Sequence, residues 1–126
     1  LVLGVFSYEA MFNLTWALQD KDEARVLGVI NTLYNNGKEL KNFIEVYLEF
    51  VLDLVKFNLI RDINCTSIPS YLAAETNPVV QQTIDFPDIK NWLNDLADLL
   101  LKIKLEIKYD SFYKSTIEAF LIRFCR

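Results

Sequence analysis

Residues that end regular structure are scarce in this chain: three Gly and three Pro in 126 residues. Few breaks mean few, long elements, because short strands joined by tight turns need turn residues at every corner. Hydrophobic residues make up 52% of the chain and aromatic residues 13%, so such elements have ample apolar surface to bury. The length suits one domain over residues 1–126, closed by its own core and without a metal or disulfide scaffold.

Helical spacing is the recurring pattern. Ser7 is a plausible N-cap for "YEAMFNLTWALQ", where Met11, Leu14 and Leu18 share one face and Tyr8, Phe12 and Trp16 a neighbouring one. After "DKDE", Asp22 can cap a second helix carrying Val26, Val29, Ile30 and Leu33, and Gly37 of "NNG" can end it in the left-handed conformation. The third helix is expected from about Glu39 to Arg61. Leu40, Ile44, Tyr47, Val51 and Leu54 form its main stripe, with Phe43, Phe50 and Phe57 at seven-residue intervals beside it. Lys41, Glu45, Glu49, Asp53 and Lys56 form a narrow polar edge. So broad an apolar surface places this helix centrally in the core or gives it a second face for a partner, and the phenylalanine row is read as core first and as a partner-facing row second.

All three Pro fall in the connection from Asp62 to Asp88, which reads as loops with short helices near Tyr71–Ala74 and Val79–Thr83. Apolar residues continue through it, so it is a connection within one domain. From Ile89 onward, Trp92, Leu93, Leu96, Leu99, Leu100, Ile103 and Ile107 lie on one helical face. This register runs into "LKIKLEIKYD", whose strict alternation by itself suits a half-buried strand. No turn signal precedes it and no partner strand is evident, so it is read as helix, with Leu101 and Leu105 as a second, less buried set. A last helix carries Ile117, Phe120, Leu121 and Phe124. The expected fold is therefore all-α: a single helical bundle of about five main helices, with short helices in the connection.

The net charge of -4 argues against a surface that grips nucleic acid, and the absence of His removes the commonest general acid–base and metal-ligand residue. No Gly-rich phosphate loop, C-x-x-C pair, HExxH or Gly-flanked Ser elbow occurs. Carboxylate pairs such as Glu45 with Glu49 and Asp95 with Asp98 have the spacing of a solvated helix edge. No catalytic, cofactor or metal residue is expected, and no membrane segment or signal peptide. Cys65 and Cys125 read as small buried hydrophobes of a reducing compartment, or else as one disulfide of a secreted four-helix signalling protein with glycans at Asn13 and Asn64. Asn13 lies in an apolar helical run, where a glycan would clash, and both sequons are read as coincidental.

The order of these features resembles the third, helical domain of the gamma/tau subunit of the bacterial DNA polymerase III clamp loader. The points of likeness are the Leu3-Gly4 phrase before the first helix, the acidic linker, Gly37 and Phe43 ahead of the long third helix, and Lys108-Tyr109 in "LEIKYD". Lys114 and Glu118 in "KSTIEAFLIRFC" complete the match, which spans nearly the whole chain in mostly apolar patterns. One departure is Leu52 before Asp53-Leu54, where the family usually has Arg. The resemblance implies a collar-type oligomerisation domain, a cytoplasmic fragment of a longer chain, without the AAA+ ATPase domains that bind ATP and Mg. It implies clamp-loader subunits as partners (further gamma/tau copies, delta and delta-prime) and no direct contact with nucleic acid or membrane. Trp16, Phe43, Phe50, Phe57 and Leu105 are the candidates for subunit contacts. Lys114 and Glu118, four residues apart, can pair with each other, or Glu118 can reach another helix.

Overall fold

The computed structural model describes residues 6–126, so the Leu3-Gly4 phrase lies outside the described residues. Among the described residues the fold is all-α, with six helices in the order α1 (Tyr8–Gln19), α2 (Glu23–Asn35), α3 (Leu40–Ile60), α4 (Ala73–Val80), α5 (Ile89–Glu106) and α6 (Tyr113–Cys125). Two 3₁₀ turns, Ile63–Cys65 and Ser70–Leu72, lie in the connection between α3 and α4. Among the described residues no helix is long and apolar enough to cross a membrane.

The boundaries follow from capping chemistry. The Ser7 hydroxyl accepts from the Ala10 amide at 3.1 Å, and the Asp22 carboxylate from the Arg25 amide at 3.1 Å, each satisfying a donor that the first helical turn leaves free. The ends of α1 and α2 are built alike. Asp22 N–H bonds Ala17 O at 3.0 Å with Lys21 at φ 55°, and Lys38 N–H bonds Leu33 O at 3.0 Å with Gly37 at φ 75°. Both are Schellman turns, which need a left-handed residue just past the helix. Arg61, at φ 63°, ends α3. "LKIKLEIKYD" is helical to Glu106, since Leu100, Ile103 and Ile107 continue the buried stripe of α5.

The connection departs from expectation. The first short helix extends from the 3₁₀ turn at Ser70 through Val80, with Pro78 inside it, and Gln81–Thr83 is not helical. Two long-range amides explain how so short a helix holds. Gln19 Nε2 donates to Val79 O at 2.8 Å and Asn58 Nδ2 to Val80 O at 3.0 Å, satisfying terminal carbonyls that have no partner within α4.

The core draws on all six helices. α3 and α5 pack along much of their length, and Lys41 Nζ near the start of α3 reaches Lys108 O beyond the end of α5 at 3.4 Å, so the two run antiparallel. α6 lies beside α2 and α5: Arg126 pairs with Glu23 at 3.1 Å, and Trp92 packs on Phe124 with ring centroids 5.6 Å apart. Between α1 and α3 the contact is aromatic. Phe12 meets Phe50 edge-on at 5.1 Å and Tyr8 meets it at 6.0 Å, while within α3 Phe43 stacks on Tyr47 at 5.6 Å.

Candidate docking surface

The structure separates the subunit-contact candidates. Phe43, Phe50 and Phe57 are 0, 3 and 5% exposed, inside the chain's own core, which agrees with the core reading of the row and corrects their choice as subunit-contact candidates. Phe12 and Tyr8 of α1 cover Phe50, and the Phe6 ring, with centroids 5.3 Å apart, covers Phe43. Trp16 is half-buried against Phe12, with centroids 5.6 Å apart. Leu105 alone of the five points outward, at 68% exposure. Of the residues matched by resemblance, Gly37 terminates α2, and Lys114 Nζ pairs with Glu118 Oε2 at 3.2 Å, so Glu118 is satisfied on its own helix. Lys108 and Tyr109 are both exposed in the turn after α5, the ammonium 5.5 Å from the ring centroid.

The polar edge of α3 also needs correction. Asp53 is buried and Lys41 half-buried, whereas Asn42, Glu45, Glu49, Leu52, Lys56 and Leu59 are exposed, at alternating three- and four-residue spacing. Helical register places the two leucines. Lys41 touches the end of α5, and Leu48 and Val55 follow it at seven-residue intervals, so these three mark the edge of α3 toward α5. Leu52 and Leu59 stand four residues on from Leu48 and Val55 and turn outward from that edge. On α5, Trp92 packs on Phe124, and the Lys102 ammonium lies 5.4 Å from the Phe120 ring centroid, marking the edge toward α6. Leu101 and Leu105 flank the opposite edge, toward α3.

The outer surface of the α3–α5 pair thus carries four leucines, Leu52, Leu59, Leu101 and Leu105, between 43 and 68% exposed. One end of the seam has Glu45 and Glu49 on α3 beside Lys104 and Lys108 on α5, and none of these four makes an ion pair among the described residues. Leu101 and Leu105 were legible in the sequence as the out-of-phase set. Leu52 and Leu59 were not, because they lie within the nearly continuous apolar run from Phe50 to Ile60, where an outward residue does not stand out from the buried ones.

The described residues also form concavities. A groove of about 440 Å³ between α1 and α2 is lined by Ala10, Asn13, Arg25, Gly28, Val29 and Leu33, among others. A Cβ added at Gly28 would have nothing within 4 Å, so packing within the chain does not call for glycine there. A smaller polar recess, about 370 Å³, lies where Gln19 and Asp20 meet Pro78, Asp85 and Phe86.

Inside, the polar groups are matched. Thr15 Oγ1 donates to Met11 O at 2.8 Å, so the 2.7 Å contact between Thr15 Oγ1 and Tyr47 Oη uses the tyrosine proton. Burial pushes the Tyr47 hydroxyl far above the ordinary tyrosine range. Burial likewise raises the Asp53 carboxyl, with Glu49 adding to the shift, while the Ser67 amide and Lys56 oppose it. Neither group lines the α1–α2 groove or the recess beside Pro78. Cys65 is exposed, against expectation, because it lies on a surface 3₁₀ turn, while Cys125 is buried at the end of α6; both thiols are free, so the disulfide alternative is not formed. Of the sequon residues, Asn13 is half-buried on the α1–α2 groove and Asn64 is exposed. Among the described residues no group of three or more Cys, Asp or Glu is placed to hold a metal ion.

No family model, curated protein or solved structure matches this chain.

Proposed function

We propose that this chain is an oligomerisation domain of the collar type: a non-enzymatic helical module that holds subunits of a DNA polymerase III clamp loader together, as the third domain of the gamma/tau subunit does. The observation that carries the reading is the outer face of α3 and α5. A bundle whose core is already closed by Phe43, Tyr47, Leu54, Leu93 and Leu100 has no internal use for four leucines held in water along one helix pair. A collar subunit meets one neighbour on each side and needs two distinct surfaces. The α3–α5 face and the α1–α2 groove lie on different helices and meet that need. The order of elements, Gly37 at the α2 turn and the Lys114–Glu118 pair on the last helix add the resemblance drawn from sequence. The partners on this reading are gamma/tau copies, delta and delta-prime in the cytoplasm, with ATP and Mg bound by domains outside this chain.

The test is co-elution. The purified chain is mixed with delta and delta-prime subunits of the same source and run by size-exclusion chromatography with light scattering. A stoichiometric complex that is lost on Leu105→Asp is the expected result. Absence of any complex at micromolar concentrations, with all proteins folded, would remove the clamp-loader assignment.

A further inference from the structure

We propose that Asn36, the C-cap of α2, is a site of spontaneous covalent modification: the Gly37 nitrogen closes on its carboxamide, and the resulting succinimide hydrolyses to aspartate or isoaspartate within the α2–α3 turn. The inference rests on that turn and is independent of the clamp-loader reading. Of the asparagines in the chain, only Asn36 precedes a glycine. A side chain on the following residue would crowd the attacking nitrogen, and glycine has none. Asn36 and Gly37 are both exposed, and a Cβ added at Gly37 would have nothing within 4 Å, so the space in which the ring forms is open. Asn58 and Asn91 have their amides bonded to Val80 O and Asp88 Oδ2, and Asn77 precedes Pro78, which has no N–H to lose. The Asn36 carboxamide has no hydrogen-bond partner among the described residues.

The reaction needs only water. Gly37 N gives its proton to hydroxide and bonds Asn36 Cγ, while the Cγ–Nδ2 bond breaks and Nδ2 leaves as ammonia. Water then opens the five-membered imide at Cγ, giving aspartate, or at the main-chain carbonyl of residue 36, giving isoaspartate. The folded turn holds the first step back. With ψ at 10° the Gly37 nitrogen eclipses the Asn36 nitrogen, whereas the ring requires it to eclipse Cβ. Its N–H also donates to Tyr34 O at 3.1 Å, and Lys38 N–H closes the turn on Leu33 O at 3.0 Å. Ring closure therefore proceeds from molecules in which this last turn has opened, a local event at a helix end. It is also one-way. Either product puts a carboxylate at the negative end of the α2 dipole, and isoaspartate lengthens the main chain between Leu33 and Lys38, so the two turn bonds do not close again as before. Leu33 also lines the α1–α2 groove, and the loosened turn forms part of that wall.

The experiment incubates the folded chain in mildly alkaline buffer, beside the synthetic peptide Val26–Lys38 and the guanidinium-unfolded chain. Trypsin, cutting after Arg25 and Lys38, releases the same segment from the protein, and fragment masses place the exchange of an amino group for a hydroxyl at Asn31, Asn35 or Asn36. Enzymatic methylation counts the isoaspartate. Asn36 should be modified first in all three samples, at a rate proportional to hydroxide, and about ten- to thousandfold more slowly in the folded chain than in the peptide. Ion exchange then separates the more acidic aged chain, whose amides at residues 36–38 should exchange hydrogen faster than those of the fresh chain. Asn36→Gln, whose longer side chain closes a ring far less readily, should keep the turn and stop the acidic form from accumulating. A folded chain whose Asn36 stays intact after about a thousand half-lives of the peptide overturns the site, as does earlier modification of another asparagine or an acidic form that accumulates equally in Asn36→Gln. Equal rates in the folded chain and the peptide would reject control by the turn, and unchanged hydrogen exchange in the aged chain would reject its one-way loosening.

Discussion

The hydroxyls of Thr15 and Tyr47 share one proton path, and their substitutions should differ for that reason. Thr15→Val removes the only acceptor of the buried Tyr47 proton and should cost about 1–3 kcal/mol, the penalty of an unsatisfied polar group in the core. Tyr47→Phe leaves Thr15 bonded to Met11 O and should cost only about 0.5–1.5 kcal/mol. Urea midpoints of the two variants measure the order. The tyrosine also sets an alkaline limit. Its proton is held more tightly in the folded chain than in the unfolded one, so its contribution is fully present below pH 10, the ordinary tyrosine value, and falls as pH rises beyond it. In Tyr47→Phe that part of the alkaline loss should vanish. Asp53 has the same sign at the acid end. Its carboxyl is raised above the ordinary 3.8, so the fold loses stability as pH climbs through that region and stays below its acid value at neutrality. Asp53→Asn should therefore melt higher than the wild type at pH 7, with the advantage gone below about pH 4. The amide oxygen can still accept from Ser67, and the Lys56 contact given up is long, 3.9 Å, with the lysine mostly exposed. A lower melting temperature for Asp53→Asn at pH 7 would show that its charge is compensated where it lies.

At the scale of elements, the helices were legible because apolar spacing and capping residues agree: Ser7, Asp22 and Gly37 each stand where a helix begins or ends. The α4 region was not, since a proline reads locally as a break, while the bonds that offset it come from Gln19 and Asn58, far away in sequence. The same limit hid Asp53, whose spacing fits a polar edge but whose surroundings are made by the connection after α3. Of the docking face, the two leucines on α5 could be read in advance and the two on α3 could not. The distant amides make a prediction. Gln19→Ala or Asn58→Ala should each loosen α4 by about 1 kcal/mol, read as faster hydrogen exchange of the α4 amides with little change in the core of α3 and α5. Uniform acceleration across all helices would mean instead that α4 opens only with the whole domain. The two Schellman turns predict the opposite sign of change. Lys21 occupies the left-handed position that Gly37 fills at the end of α2, and an L side chain there costs about 1–2 kcal/mol. Lys21→Gly recovers that cost but adds about 0.5–1 kcal/mol of unfolded-chain freedom. The net expectation is a modest gain in thermal stability, and a loss would mean that the lysine side chain makes a favourable contact.

For the whole molecule, the two cysteines report how the fold opens. Cys65 is exposed and should react with a thiol reagent without waiting for the fold to open. Cys125 is 1% exposed, and burial, with Glu23 and Asp22 nearby, pushes its thiol up, so it must wait for an opening that brings it to water. Labelling of the native protein should thus run in two phases of equal amplitude, which also counts both thiols as free. The rate of the slow phase then discriminates between two kinds of opening. Cys125 is the last residue of α6, and the end of a helix frays at far lower cost than the domain unfolds. What holds this end down is the docking of Cys125 itself and the Arg126–Glu23 pair at 3.1 Å, in which the arginine is largely exposed. An exposed pair contributes little to global stability, but it acts directly on the last turn. Arg126→Ala should therefore speed the slow phase while leaving the urea midpoint nearly unchanged, and in the wild type that phase should be insensitive to low concentrations of urea. A slow phase that instead tracks global stability, equally in both proteins, would show that α6 is released only when α2 and α5 part from it, making the bundle one cooperative unit to its last turn.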